Sequence, residues 1–127
     1  DDRRDQATGR ADGRVDPRRI VLAGYSAGAL RALQLAYGGA LGALGAIVVA
    51  PWLPPEEVEA LAAAKPVPTF IAVGERDDGG YEGSHALVER LRATGVRVHL
   101  EVLPGHGHQY PGDMLRILAD AIALVSR

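Results

Sequence analysis

Short apolar runs punctuate this chain at Ile20–Ala23, Ala46–Ala50, Thr69–Val73 and Val96–Leu103. The first three are rich in β-branched residues and continuous, which suits strands covered on both faces of a parallel sheet. The last run, VRVHLEVL, alternates instead. Val96, Val98, Leu100 and Val102 fall on one face, with Arg97, His99 and Glu101 on the other. That pattern predicts a half-solvated strand near a sheet edge.

Helical patterns separate the runs. Ala27–Tyr37 follows the first. Pro54–Ala64 opens with PPEE, where proline and acids suit the orphan N–H groups and the dipole of a first turn. Ser84–Thr94 sets Leu87, Val88 and Leu91 on one face and stops at Gly95, a fitting C-cap. Pro111–Val125 places Leu115, Leu118, Ile122 and Val125 at helical spacing. The glycines of GGALGALG, Gly38–Gly45, read as a helix stop and a loop into the next strand rather than a repeat. Strand and helix in alternation predict an α/β fold: a parallel sheet of about four strands with flanking helices and right-handed crossovers. Ligands of such sheets bind beyond the carboxyl ends of the strands, so the loops after Ala23, Val73 and Leu103 are where chemistry belongs.

The 127 residues make one domain, 20–127, preceded by DDRRDQATGRADGRVDPRR, residues 1–19. That lead-in holds mixed charges and little a core can use, so a flexible or poorly packed segment is expected there. The chain begins with Asp1, for which a processed or truncated N-terminus is the simplest explanation. Net charge is −2 with no basic block, which argues against a nucleic-acid partner. Cysteine is absent, excluding disulfides, a thiol nucleophile and thiolate metal sites. The longest apolar run, Leu41–Leu53, is interrupted by Pro51, too short for a membrane span and wrongly placed for a signal peptide. A cytoplasmic setting is the expectation.

GYSAG, Gly24–Gly28, fits the pattern G-x-S-x-G at a strand-to-helix junction. A serine on so sharp a turn needs tiny neighbours two residues away, and the turn aims its hydroxyl outward over the sheet. It also puts the next N–H, that of Ala27, at a helix start able to stabilise an oxyanion. A nucleophilic serine needs a base, and the base an orienting acid. Asp77 and Asp78 stand after the third strand, in VGERDDGG; His106 and His108 stand after the fourth, in LPGHGHQYP. The chain order Ser26, Asp77 or Asp78, His108 or His106 suits this chemistry. An aspartate beside glycine is more often a turn residue, and a loop histidine more often a surface residue. Three such groups on three carboxyl-end loops favour the chemical reading. His85 and His99 read as surface residues. Neither the histidines with their neighbours nor GYSAGA matches a metal, dinucleotide or P-loop motif. Trp52, in APWLPP, suits a pocket wall or a core position about equally.

On these residues the chain resembles the α/β-hydrolase superfamily, from about Val15 to the C-terminus. VDPRRIVLAGYSAG, APWLP, KPVPTFIAVGERD and LPGHGHQYP are similar to successive blocks of its small carboxylesterase, phospholipase/carboxylesterase and dienelactone-hydrolase-like members. The resemblance selects Asp77, three residues after Gly74, and His108 after its P-G-x-G-type loop. It implies that Ser26 attacks an acyl carbon, His108 moves the proton, Asp77 holds the imidazole and the Ala27 N–H is an oxyanion donor. It implies a small-molecule ester as substrate and no cofactor.

The likeness covers the C-terminal half of that fold. The family's second oxyanion donor comes from an earlier loop, often of HG type, and nothing before Ile20 fits that part. The first strand is then a central strand with a bare edge, open to self-association or to a missing N-terminal half. A serine hydrolase of carboxylic esters is the favoured expectation, with the isolated chain a poor enzyme. Its rival is a non-catalytic remnant serving as a binding or assembly module.

Overall fold

A computed structural model describes residues 20–126. The order is β1 (Val21–Tyr25), α1 (Ala27–Tyr37), β2 (Gly45–Val49), α2 (Pro55–Ala63), β3 (Thr69–Gly74), α3 (Tyr81–Thr94), β4 (Val98–Leu103) and α4 (Met114–Val125). The strands form one sheet in the order β1-β2-β3-β4, each pair parallel, with Ala23 opposite Ile47, Ile47 opposite Phe70 and Phe70 opposite His99. The expected α/β architecture is present. The lead-in expected over residues 1–19 lies outside the described residues.

Alternate residues of the strands feed two cores. On one face Ala46, Val48 and Ile71 meet α1, α2 and α3 through Ala29, Leu33, Val58, Leu61, Leu87 and Leu91. On the other, Ile47, Val49, Phe70, Ala72 and Leu103 meet, among the described residues, α4 alone, through Ile117, Ala121 and Val125. Every residue of β2 and β3 is buried, as their unbroken apolar runs require. β4 is half-buried at one edge of the sheet, as its alternation predicts. β1 is less covered than its continuous apolar run predicts. With α4 lying over β2 and β3, Ala23 and Tyr25 are exposed, and β1 pairs with β2 on one side only among the described residues.

The buried stripe of α4 matches the expected one in part, since Val125 is buried and Leu118 packs against the core. Leu115 is 85% exposed and Ile122 53%, whereas Ile117, Ala121 and Val125 are buried. This helix is apolar around most of its girth, so fit to the sheet selects the face. Gly45 makes room for Val125, because a β-carbon there would stand 2.5 Å from Val125 Cβ. Two helix starts shift as well. α3 begins three residues before Ser84, since the Tyr81 N–H reaches the Asp77 carbonyl at 2.7 Å and opens the helix on the aspartate turn. α4 begins three residues after Pro111. A buried chain of hydrogen bonds joins α1 to β3. The Thr69 hydroxyl donates to the Val67 carbonyl at 2.7 Å, which leaves the Tyr37 hydroxyl to donate to Thr69 Oγ1 at 2.5 Å. No helix among the described residues is long and apolar enough to cross a membrane.

Candidate active site

β1 delivers Ser26 in a conformation that residues other than glycine seldom adopt, φ 57 and ψ −120. Such backbone costs about 1–3 kcal/mol and persists only where its surroundings hold it. Here the Ser26 N–H remains bonded to the Val49 carbonyl at 2.9 Å, and the Ser26 carbonyl accepts from the Ala29 N–H at 3.0 Å. The turn is therefore clamped on both sides. Ala27 is the first residue of α1, so its N–H lacks an intrahelical acceptor and sits at the positive end of the helix dipole. The sequence argument asked for two tiny neighbours; the structure asks for one. A β-carbon on Gly24 would collide with the Gly28 carbonyl, whereas one on Gly28 meets nothing within 4 Å.

Ser26 Oγ lies 2.6 Å from His108 Nε2, and His108 Nδ1 lies 2.8 Å from Asp77 Oδ2. A carboxylate only accepts, so Nδ1 carries the proton and the Nε2 lone pair faces the serine hydroxyl. Asp77 is 3% exposed, and its other oxygen, Oδ1, accepts from the Gly80 N–H at 3.1 Å. That bond, with the α3 start wrapped around Asp77, fixes the carboxylate's direction. Gly80 has to be glycine, because a β-carbon would stand 2.5 Å from the Pro51 carbonyl oxygen. Gly74 is equally constrained, because a β-carbon there would stand 2.4 Å from the carbonyl oxygens of His106 and Gly107, so its absence lets the β3 end lie against the histidine loop.

The alternatives separate by position. His106 turns its Nδ1 to the Pro104 carbonyl at 3.0 Å, and its own carbonyl accepts from the Arg76 N–H at 2.8 Å. It builds the loop. Asp78 lines a cleft of about 810 Å³ into which Ser26 and His108 open. Leu30, Trp52 and Arg76 form other parts of its wall, and Trp52, at 57% exposed, belongs to the wall and not to the core. The chain leaves β2 through Ala50 at φ 51 to bring that tryptophan there, a turn no sequence signal marked. His85 stacks edge-on against Tyr81, and His99 packs against Phe70, both away from the cleft lining. Sequence reasoning missed Tyr25, whose ring stacks on His108 with centroids 6.2 Å apart, and Tyr110, edge-on to Tyr25. The aromatic position next to Ser26 was the available signal for the first. Among the described residues no group of three His, Asp or Glu side chains is placed to hold a metal ion.

A parallel sheet with a serine on a strained strand–helix turn, facing a histidine and a buried aspartate from two later loops, defines the α/β-hydrolase class. Within that class the chain belongs to the dienelactone hydrolase family, whose model matches residues 2–123. A search of curated proteins found no match. Among solved structures the chain is similar to an uncharacterized protein from Bacillus cereus ATCC 10987, with a TM-score of 0.75 and 25% identity over 86% of this chain and 37% of that one. It is also similar to an alpha-beta serine hydrolase homologue from Coxiella burnetii, at 0.59 and 27%, over 85% of this chain and 48% of that one. Its fold is shared with esterase PE8, at 0.71 and 24%, over 87% of this chain and 52% of that one. The chain thus spans about a third to a half of the length of these structures.

Proposed function

We propose that this chain carries the nucleophile, base and acid of a serine hydrolase of carboxylic esters. The supporting observation is the unbroken relay from Ser26 Oγ through His108, 2.6 Å and 2.8 Å, to a buried carboxylate. As Ser26 Oγ attacks the acyl carbon, His108 Nε2 takes the hydroxyl proton and Asp77 steadies the imidazolium. The carbonyl oxygen becomes an oxyanion facing the Ala27 N–H. Collapse breaks the ester C–O bond, and the leaving alkoxide receives the proton from Nε2. Water then attacks the acyl-enzyme with His108 again as base, releasing the carboxylic acid and restoring Ser26.

Ala27 is the one oxyanion donor proposed among the described residues. A site lacking a second donor loses on the order of a hundred- to a thousandfold in rate. The edge of β1, unpaired among the described residues, supports a second reading, in which the chain is a non-catalytic remnant used for assembly. Intact-mass spectrometry during reaction with a short-chain activated ester separates the two. The hydrolase reading expects one acyl group on the chain, absent in Ser26→Ala. An acyl adduct unaffected by that substitution, or none at all, favours the remnant.

A further inference from the structure

His108 stands in the segment 104–113 between β4 and α4, and the two ends of that segment are tied by different means. At the front, the Gly105 N–H donates to Glu75 Oε1 at 2.9 Å, and the Arg76 N–H to the His106 carbonyl at 2.8 Å. Residues 104–106 are thereby pinned to the turn that carries Asp77. Beyond His108 the chain runs through exposed Gln109 and Tyr110 and buried Pro111 to α4, where Met114 packs against the core and Ile117 is the first fully buried residue.

The Arg116 side chain ties the start of α4 back to β4. Arg116 grips Glu101 of β4 with both ends of its fork, Nη1 to Oε1 at 3.1 Å and Nη2 to Oε2 at 2.6 Å. It also donates to Asp113 Oδ2 from Nη2 at 2.7 Å and from Nε at 3.3 Å. Nη1 reaches Asp120 Oδ2 at 2.9 Å. Asp113 is the N-cap of α4, where an aspartate ordinarily accepts from the first-turn N–H groups. It makes no such cap bond. Its carboxylate is turned to the arginine, and the helix start forgoes the usual capping bond for a link back to β4.

We infer that Arg116 is a positioning residue for His108: by tying Glu101 on β4 to Asp113 at the start of α4, it sets the span of segment 104–113 and holds the imidazole between Ser26 and Asp77. Its kinetic consequence rests on the hydrolase reading above. Arg116 acts through the loop and not on the reacting atoms. Exposed ion pairs singly add little to global stability, so a merely structural cluster would respond weakly and alike to loss of any one carboxylate. A clamp would not. Glu101 joins two elements, whereas Asp120 lies on the same helix four residues along.

The test compares the full chain with Glu101→Gln, Asp120→Asn, Arg116→Ala and Arg116→Lys, reading the rate of fluorophosphonate labelling. Glu101→Gln and Arg116→Ala should slow labelling about ten- to a hundredfold, the scale of a displaced catalytic group. Asp120→Asn should leave the rate unchanged, and Arg116→Lys should recover part of it, because lysine keeps the charge but lacks the fork. A second readout needs no turnover: the NMR resonance of the His108 Nδ1 proton, expected to persist in wild type and Asp120→Asn and to broaden in Glu101→Gln and Arg116→Ala. Glu101→Gln is nearly isosteric and covers the case in which Arg116→Ala fails to fold. Equal labelling rates and equal proton resonances in Glu101→Gln and Asp120→Asn overturn the clamp alone. Labelling that persists in Ser26→Ala overturns the hydrolase reading, leaving the proton resonance to judge the clamp by itself.

Discussion

Gly24 and Gly28 flank the same serine, yet only one of them is sterically required. A β-carbon on Gly24 would lie 2.2 Å from the Gly28 carbonyl oxygen, closer than real β-carbons approach, and the obstacle is backbone that cannot swing aside. Gly28 itself is exposed and faces open space. The strained turn therefore depends on the first glycine of the motif far more than on the second.

Gly24→Ala should destabilise the chain by about 1–3 kcal/mol, the usual range for overpacking, and abolish labelling of Ser26. Gly28→Ala should keep labelling and hold or raise stability, by up to about 1 kcal/mol from helix propensity. Urea melts beside labelling rates check both. Equal damage from the two substitutions would contradict the steric account.

The two aspartates of the acidic turn should behave differently. Asp77→Asn removes the acceptor that fixes the proton on His108 Nδ1, and is expected to lower ester turnover on the order of a thousandfold or more. Asp78 lines the cleft without meeting the imidazole, so Asp78→Asn should change KM more than kcat. Steady-state kinetics with one activated ester decides. A kcat loss in Asp78→Asn matching that in Asp77→Asn would reassign the acid.

Burial pushes the Tyr37 phenol from its ordinary 10.0 up to about 12. Its folded pKa is the higher one, so its stabilising contribution is complete below pH 10 and disappears as pH rises through about 12. Ionisation would also put a phenolate against a Thr69 hydroxyl whose proton is committed to Val67. A loss of about 2–3 kcal/mol over that interval is expected, and Tyr37→Phe should flatten it. Denaturant midpoints across alkaline pH provide the measurement; a profile that Tyr37→Phe leaves unaltered would contradict the assignment.

How far could the chain be read before its structure? The apolar runs and glycine-bounded turns sufficed for the α/β class and for Ser26 with Asp77 or Asp78 and His106 or His108 as candidates, because those signals are local; the choice of Asp77 and His108 came from the resemblance. The buried face of α4 was legible only in part: Val125 and Leu118 meet the core as their spacing suggests, but Leu115 and Ile122 are as apolar as Ile117 and stand exposed. Arg116 was invisible: its meaning depends on Glu101, Asp113 and Asp120 converging from two elements. Long-range contacts of polar side chains leave no period along a chain.

The edge of β1, open among the described residues, adjoins a groove lined by Ala23, Tyr25, Tyr110, Met114 and Leu118, with exposed Leu115 and Ile122 on the same helix. An unpaired edge beside apolar surface favours strand pairing between molecules. Sedimentation should show concentration-dependent association of the chain, reduced by Ala23→Lys, which places a charge on the bare face. A monomer at all concentrations would argue that the edge is protected.

The most direct test of the serine chemistry is to label the chain with a fluorophosphonate and map the modified peptide by mass. The expected result is a single phosphonyl group on Ser26, formed in wild type and lost in His108→Ala. A label on any other residue, or one that forms equally well without the His108 imidazole, would contradict it.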